Sequence, residues 1–399
     1  MKKMRLLLQI IYLCIFITSC TSSQWQTSKM ETSSEKTIPT WDKYDGEIPL
    51  ELKKWDVIAD ISSTWSACDY AFNLRYTTLS IDNENRIWIY GPDQWIGQNV
   101  EIVPDAPKCD EDLHPLIIRY DQNSQQAETV RVNLENGSFI SSARGWSHLG
   151  NGKVLLSSVF IYHGPWDAPD GGAGNKYIDL AILENGNIRE LLGGSTSLFS
   201  IPDYAISNNI VFAISNTPTF HGIKILDLST EKLVGSISPP DCENIAHIEI
   251  SDNNIFLICK SGTSSYLRVY TKEMGEIISW LLNGDTSDFP LAVDSSGSVW
   301  VGDSYVATPS GITWTLDGIL PERNFYVQNG YDFYKRKVFA MMPYENKMLI
   351  SLEGAIYLAD YRNKQWEFIT YQSPPLPIAI GADGKIYVFT GKYIIATKP

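Results

Sequence analysis

The chain has 399 residues, 44% hydrophobic and 20% charged, a balance that fits a folded globular protein rather than a disordered one. Its formal net charge is −14 and no basic stretch follows the N-terminus, so an acidic surface argues against binding to nucleic acid. Aromatic residues make up 12% of it, with many Trp and Tyr, which favours β structure, where flat rings pack on a pleated surface.

The first twenty residues read as an export address. Lys2, Lys3 and Arg5 form a positive start, and Leu6 to Ile17 an apolar run too short to span a bilayer comfortably. Ile17-Thr18-Ser19-Cys20 follows. This tetrapeptide resembles the bacterial lipobox, with Ile for the commoner Leu and Ser for Gly or Ala. The resemblance implies cleavage before Cys20, lipid (palmitate-type) attachment to it, and a cell-envelope protein held to the membrane only by that anchor. Loss of residues 1–19 removes the three basic residues and leaves the mature chain at about −17. Residues 20–50 are rich in Ser, Thr, Lys, Glu and Gln and are expected to form the anchor and a flexible linker.

From residue 51 to 399 short alternating runs are broken by Gly, Asn and Asp, with no sustained helical period. One hairpin recurs. Asp82-Asn-Glu-Asn85-Arg-Ile87-Trp88 has the spacing of Asp294-Ser-Ser-Gly297-Ser-Val299-Trp300, and Gly384-Lys-Ile386-Tyr387 repeats its second half. The Asn or Gly supplies the positive φ of a tight turn, and the following apolar pair re-enters a sheet. Weaker copies stand at Gly152, Asn209, Asn253 and Asn346. Seven turns spaced by roughly 40 to 65 residues match the period of four-stranded propeller blades. The fold expected is therefore an all-β propeller of seven blades. The last unit stops after a third strand near Tyr393, and the unassigned run Trp55–Ile61 is expected to complete it and close the ring.

The sharper repeats resemble propeller units of two-component sensor ectodomains and NHL-type proteins, a likeness of fold. The Asp box of sialidases differs, because there one residue separates Asp from Gly and here two separate Asp294 from Gly297, which counts against a sialidase.

On this layout the long loops share the face that usually carries a propeller's ligand site. They are Ser62–Tyr76, Gly91–Pro115, Phe160–Lys176 and Gly318–Lys337. The candidate ligand-binding residues are Trp65, Trp95, His163, Trp166, Asp167, Asp170, His221 and Tyr331. The stretch His163–Asn175 joins a ring, carboxylates and glycines and could take calcium, a sugar or a peptide. Cys109-Asp-Glu-Asp-Leu-His114 reads better as a solvated acidic loop, since consecutive carboxylates cannot all face one ion. Tyr326, Tyr331, Phe333 and Tyr334 before Lys335-Arg-Lys form either a recognition patch or a loop covering blade six. In an exported chain the four remaining cysteines suggest the disulfides Cys68–Cys109 and Cys242–Cys259, with buried free thiols as the alternative.

His148 and His247 occupy similar places in blades two and four, with Glu249 nearby, and lack a clear third metal ligand; structural histidines are the expectation. No nucleophile elbow, His-Glu-x-x-His or phosphate loop occurs. No metal site or catalytic residue is assigned. The function expected is a non-catalytic module binding a protein, peptide or glycan at the cell envelope. A hydrolase or lyase working at the channel mouth and a scaffold subunit of an envelope complex are the alternatives.

Overall fold

A computed structural model describes residues 55–61, 77–91, 116–130, 132–134, 138–142, 145–163, 176–193, 203–217, 220–239, 242–251, 254–271, 275–282, 290–302, 305–308, 311–315, 338–352, 355–371 and 376–397. These residues contain strands and turns and no helix, arranged as seven antiparallel blades in a ring.

Strands are lettered a to d from the innermost outwards. Blade 1 comprises Thr78–Ile81, Arg86–Gly91, Leu116–Asp121 and Gln126–Thr129. Blade 3 comprises Tyr204–Ser207, Ile210–Thr217, Phe220–Asp227 and Lys232–Ile237; blade 4, Asn244–Ile250, Asn254–Ser261, Ser264–Thr271 and Glu276–Leu282. Blade 5 comprises Leu291–Val293, Val299–Val301, Tyr305–Thr308 and Gly311–Thr315; blade 6, Val338–Tyr344, Lys347–Leu352, Ala355–Asp360 and Gln365–Tyr371. Blade 7 takes Ile378–Ile380, Ile386–Phe389 and Tyr393–Thr397 from the C-terminus and its outermost strand, Asp56–Asp60, from the other end of the fold. Asp56 pairs with Ala396 and Asp60 with Tyr393, so closure follows the expected route.

Blade 2 departs from the simple repeat. Its strand b, Lys153–His163, is long enough to pair with two inner segments, Ser138–Ser142 and Gly145–Gly150, before Lys176–Glu184 and Asn187–Gly193 complete the sheet. Phe160 and His163, expected in a loop, therefore lie in strand b. The reason is local: Phe160 stacks on Tyr177 of strand c at 4.4 Å, and both rings favour extended backbone. The connection between the two strands is confined to residues 164–175.

The a–b turns carry the expected left-handed residues at Asn85 (φ 62°), Gly152 (73°), Asn209 (64°), Gly297 (77°) and Gly384 (73°); in blade 6 the left-handed residue is Glu345 (51°) and not the expected Asn346, and Asn253 of blade 4 lies outside the described residues. Buried Asp82 clamps the first of them. It accepts the amides of Glu84 and Arg86, the Arg86 guanidinium at 2.7 Å and the Trp88 indole N–H at 2.8 Å. Asp294 does the same for blade 5, accepting the amides of Ser296 and Ser298 and the Trp300 indole at 3.1 Å. The recurring Asp-to-Trp spacing is thus a folding device: one carboxylate ties the turn to the ring that fills the next blade interface. Trp300 is fully buried there. Between blades aliphatic side chains pack with these rings, as alternate residues of b and c strands face each neighbour. Val154 and Leu156 pack towards blade 1, whereas Leu155 packs towards blade 3.

Candidate functional site

Strand alternation puts every b–c and d–a connection on one face and every a–b and c–d turn on the other. Read from the strand bounds, the longest connections, 61–77, 92–115, 164–175 and 316–337, all belong to the first face. Turns on the opposite face are short, such as Asn208-Asn209 and Glu345-Asn346. Of the candidate ligand residues, Trp65, Trp95, Trp166, Asp167, Asp170 and Tyr331 lie outside the described residues, as do Cys20, Cys68 and Cys109. His163 ends strand b of blade 2, paired with Ser138. His221 is exposed near the start of strand c of blade 3, opposite Asn216. Both stand at the end of their blade from which the long connections leave.

Cys242 and Cys259 are joined by a disulfide with their Cα atoms 5.3 Å apart. It ties the chain entering blade 4 to the buried part of its strand b.

The innermost strands hold a second group of polar side chains. His148, on strand a of blade 2, does not share partners with His247. Its Nε2 lies 2.8 Å from the Ser80 hydroxyl of blade 1 and 3.3 Å from the Trp146 indole nitrogen. An indole N–H can only donate, so Nε2 is an acceptor and the ring proton sits on Nδ1. The ring also packs against Trp88, with centroids 5.4 Å apart. Burial drives its pKa down to about 4, with Asp82 opposing and Arg86 assisting. His148 is therefore a neutral bridge between blades 1 and 2.

His247 lies in a different setting. Its Nδ1 is 3.0 Å from Asp203 Oδ2, which stands at the entry to strand a of blade 3. Asp203 also accepts the amides of Tyr204 at 2.9 Å and Ile248 at 3.4 Å, so its carboxylate is fixed across the junction of blades 3 and 4. Glu249 follows His247 by two residues on strand a and accepts the Ile250 amide at 3.1 Å. Burial lifts its pKa to about 7; the Ile250 amide opposes this and the neighbouring Asp203 charge adds to it. Tyr204, behind Asp203, is held by the Ser147 hydroxyl at 2.8 Å, and burial raises its phenol well above the ordinary range. The structure thus assembles Asp203, His247 and Glu249, of which the sequence pointed to the last two. Asp203 gave no local signal, because it meets His247 only across a blade boundary.

Neither a protein-family model nor a curated protein sequence matches the chain. Solved structures do. The Dos1 propeller is 14% identical over 80% of this chain and 92% of its own, with a TM-score of 0.52. A streptogramin B lyase is 11% identical over 82% of this chain and 96% of its own, with a TM-score of 0.49. The extracellular domain of a protein described as a one-component system, from B. thetaiotaomicron, is 14% identical over 82% of this chain and 39% of its own, with a TM-score of 0.46. The first of these establishes the β-propeller fold; at such identity it carries no ligand or activity across.

Proposed function

We propose that this chain is an exported lipoprotein, anchored through Cys20, whose propeller is a non-catalytic binding module for a protein, peptide or glycan at the cell envelope. The observation that carries the binding role is the lopsided distribution of connections: four long ones attach to a single face of a rigid ring, and short turns close the other. In sequence, Trp65, Trp95, Trp166, Asp167, Asp170 and Tyr331 belong to those connections, His163 borders one of them and His221 stands at the same end of blade 3, which would give the face rings and carboxylates suited to sugars and peptides. Calcium is the ion that residues 163–175 would take, by their carboxylate and backbone oxygens. The envelope address is supported by the basic start, the short apolar run and the Cys20 motif.

Two measurements test this reading. Cells fed a tagged palmitate analogue are expected to label the wild-type chain and not Cys20→Ala; equal labelling refutes the anchor. Capture of envelope proteins and glycans by the purified mature chain is expected to vanish when 92–115 and 164–175 are replaced by short Gly-Ser segments, with the β circular dichroism unchanged. Capture that survives in the replaced protein overturns the role of that face.

A further inference from the structure

The dipeptide Asn-Gly closes two hairpins of blade 2, and the two turns are built differently. Asn151-Gly152 joins strands a and b, between Gly150 and Lys153, and Asn185-Gly186 joins strands c and d, between Glu184 and Asn187. Both have the left-handed pair that a two-residue turn requires: φ is 52° and 73° in the first, 50° and 79° in the second. The second turn is tied down. Gly186 is buried, and its carbonyl accepts the Asn133 amide at 2.6 Å. Asn133 Nδ2 donates to Asn187 Oδ1 at 3.1 Å, and Asn187 Nδ2 to the Asn185 carbonyl at 3.4 Å. The first turn has no such ties. Asn151 is exposed and Gly152 half-buried, and among the described residues neither the Asn151 side chain nor the Gly152 N–H has a hydrogen-bond partner. A Cβ placed on Gly152 would meet nothing within 4 Å, and the residue before Asn151 is a further glycine in the left-handed region, Gly150 with φ 83°.

We propose that Asn151 is a site of spontaneous deamidation, and that the fold protects Asn185 in the same dipeptide. The Gly152 amide nitrogen, after losing its proton to hydroxide, attacks Cγ of Asn151. The N–Cγ bond forms, the Cγ–Nδ2 bond breaks, and Nδ2 leaves as ammonia with a proton from water. Water then adds to either carbonyl of the resulting succinimide and opens it to aspartate or isoaspartate. Only water is consumed, and nothing is oxidised or reduced. Exposure of the turn admits the base that removes the Gly152 proton. Glycines at 150 and 152 let the backbone leave its left-handed conformation and bring nitrogen and carbon together. At Asn185 the burial of Gly186 keeps water from the amide, and the Asn133 bonds resist the same rotation. Either product adds a negative charge near Asn83 of blade 1, whose Nδ2 stands 3.8 Å from the place of a Gly150 Cβ. Isoaspartate also lengthens the backbone of the hairpin whose strand a carries His148 to Ser80. This inference is independent of the proposed binding face, since the a–b turns lie on the opposite one.

The test is to age the folded mature chain in warm, mildly alkaline buffer and to map it with trypsin over time. A sample taken at the start and handled identically sets the zero. Cleavage after Arg144 and Lys153 isolates Gly145–Lys153, and cleavage after Lys176 and Arg189 isolates Tyr177–Arg189. Mass spectrometry reads the exchange of amide for acid, and labelling by an isoaspartyl methyltransferase reads the rearranged product. Gly145–Lys153 is expected to convert about tenfold or more faster than Tyr177–Arg189 and to divide into two chromatographic forms. In urea with the disulfide reduced, the two peptides are expected to convert at similar rates. Asn151→Gln, whose longer side chain closes the ring far more slowly, is expected to leave Gly145–Lys153 unchanged. Equal rates in the folded chain, or conversion of Gly145–Lys153 only after unfolding, overturns the proposal. A Tyr177–Arg189 peptide that stays slow in urea overturns the protective role of the fold.

Discussion

Replacing Glu249 by Gln, or His148 by Gln, should change how the stability of the propeller responds to pH, in opposite directions. Burial lowers the His148 pKa from 6.5 to about 4 in the folded chain. As pH falls below 6.5 the unfolded chain takes up a proton that the folded one refuses. His148 therefore costs stability progressively between pH 6.5 and 4, and its full favourable contribution is present above 6.5. Glu249 behaves in reverse. Its folded pKa is raised from 4.5 to about 7, so the folded chain keeps a proton that the unfolded one releases, and stability falls as pH rises through that window. Each shift corresponds to about 3 kcal/mol at about 1.4 kcal/mol per unit, an upper figure because both side chains retain some contact with solvent. Between about pH 4.5 and 6.5 the two slopes oppose each other and nearly cancel. Relative to wild type, Glu249→Gln should thus gain up to about 3 kcal/mol between pH 4.5 and 7.5, and His148→Gln should lose a comparable amount between pH 4 and 6.5. Urea unfolding at a series of pH values, followed by tryptophan fluorescence with the disulfide intact, reads both. Taking differences from wild type removes every group common to the proteins. Parallel stability curves for wild type and Glu249→Gln would refute the account of its burial.

Other consequences follow from single contacts. Asp294→Ala removes the acceptor of two amides and the Trp300 indole, and should cost about 3–5 kcal/mol in chemical denaturation, as a buried network loses its charged centre. Gly145→Ala would set a methyl carbon 2.3 Å from Ser157 Oγ and 2.4 Å from Tyr204 Cε1, and should lower stability by about 1–3 kcal/mol through forced repacking of blades 2 and 3. Cys242→Ala opens a loop whose ends are 17 residues apart and should cost about 3 kcal/mol, read as a lower denaturation midpoint that reductant no longer moves.

The ring was legible in the sequence because its determinants are local. In blades 1, 5 and 7 a positive-φ residue two positions before an apolar pair marks the hairpin, and the spacing of such turns counts the blades. The polar centre was not legible, because its bonds join residues remote in sequence: Ser80 to His148 across 68 positions, and Asp203 to His247 across 44. Two histidines in equivalent strands looked alike as letters, yet one packs against Trp88 and the other meets a carboxylate from the preceding blade.

Blade 7 shows what the recurring motif conserves physically. Its turn has the backbone bonds of the other two: Gly381 N–H to the Lys385 carbonyl at 2.9 Å and Gly384 N–H to the Gly381 carbonyl at 3.0 Å, as Asp82 and Asp294 make in theirs. Glycine, however, occupies the place of the clamping aspartate. Asp383, two residues later, supplies the carboxylate instead, accepting the Lys385 amide at 3.0 Å and the Tyr387 hydroxyl at 3.1 Å. A side chain at 381 has no room, since its Cβ would stand 2.6 Å from Asp383 Oδ1 and 2.6 Å from the Tyr387 ring. Tyr387 replaces the tryptophan of the other two turns, and its hydroxyl also reaches Gln122 of blade 1 at 3.2 Å, which helps join the last blade to the first. In these three hairpins a carboxylate is bonded to the turn and to the ring of strand b, and it comes from either of two positions. A search for Asp at a fixed spacing finds blades 1 and 5 and passes over blade 7, although a carboxylate joins the turn to the strand-b ring in all three.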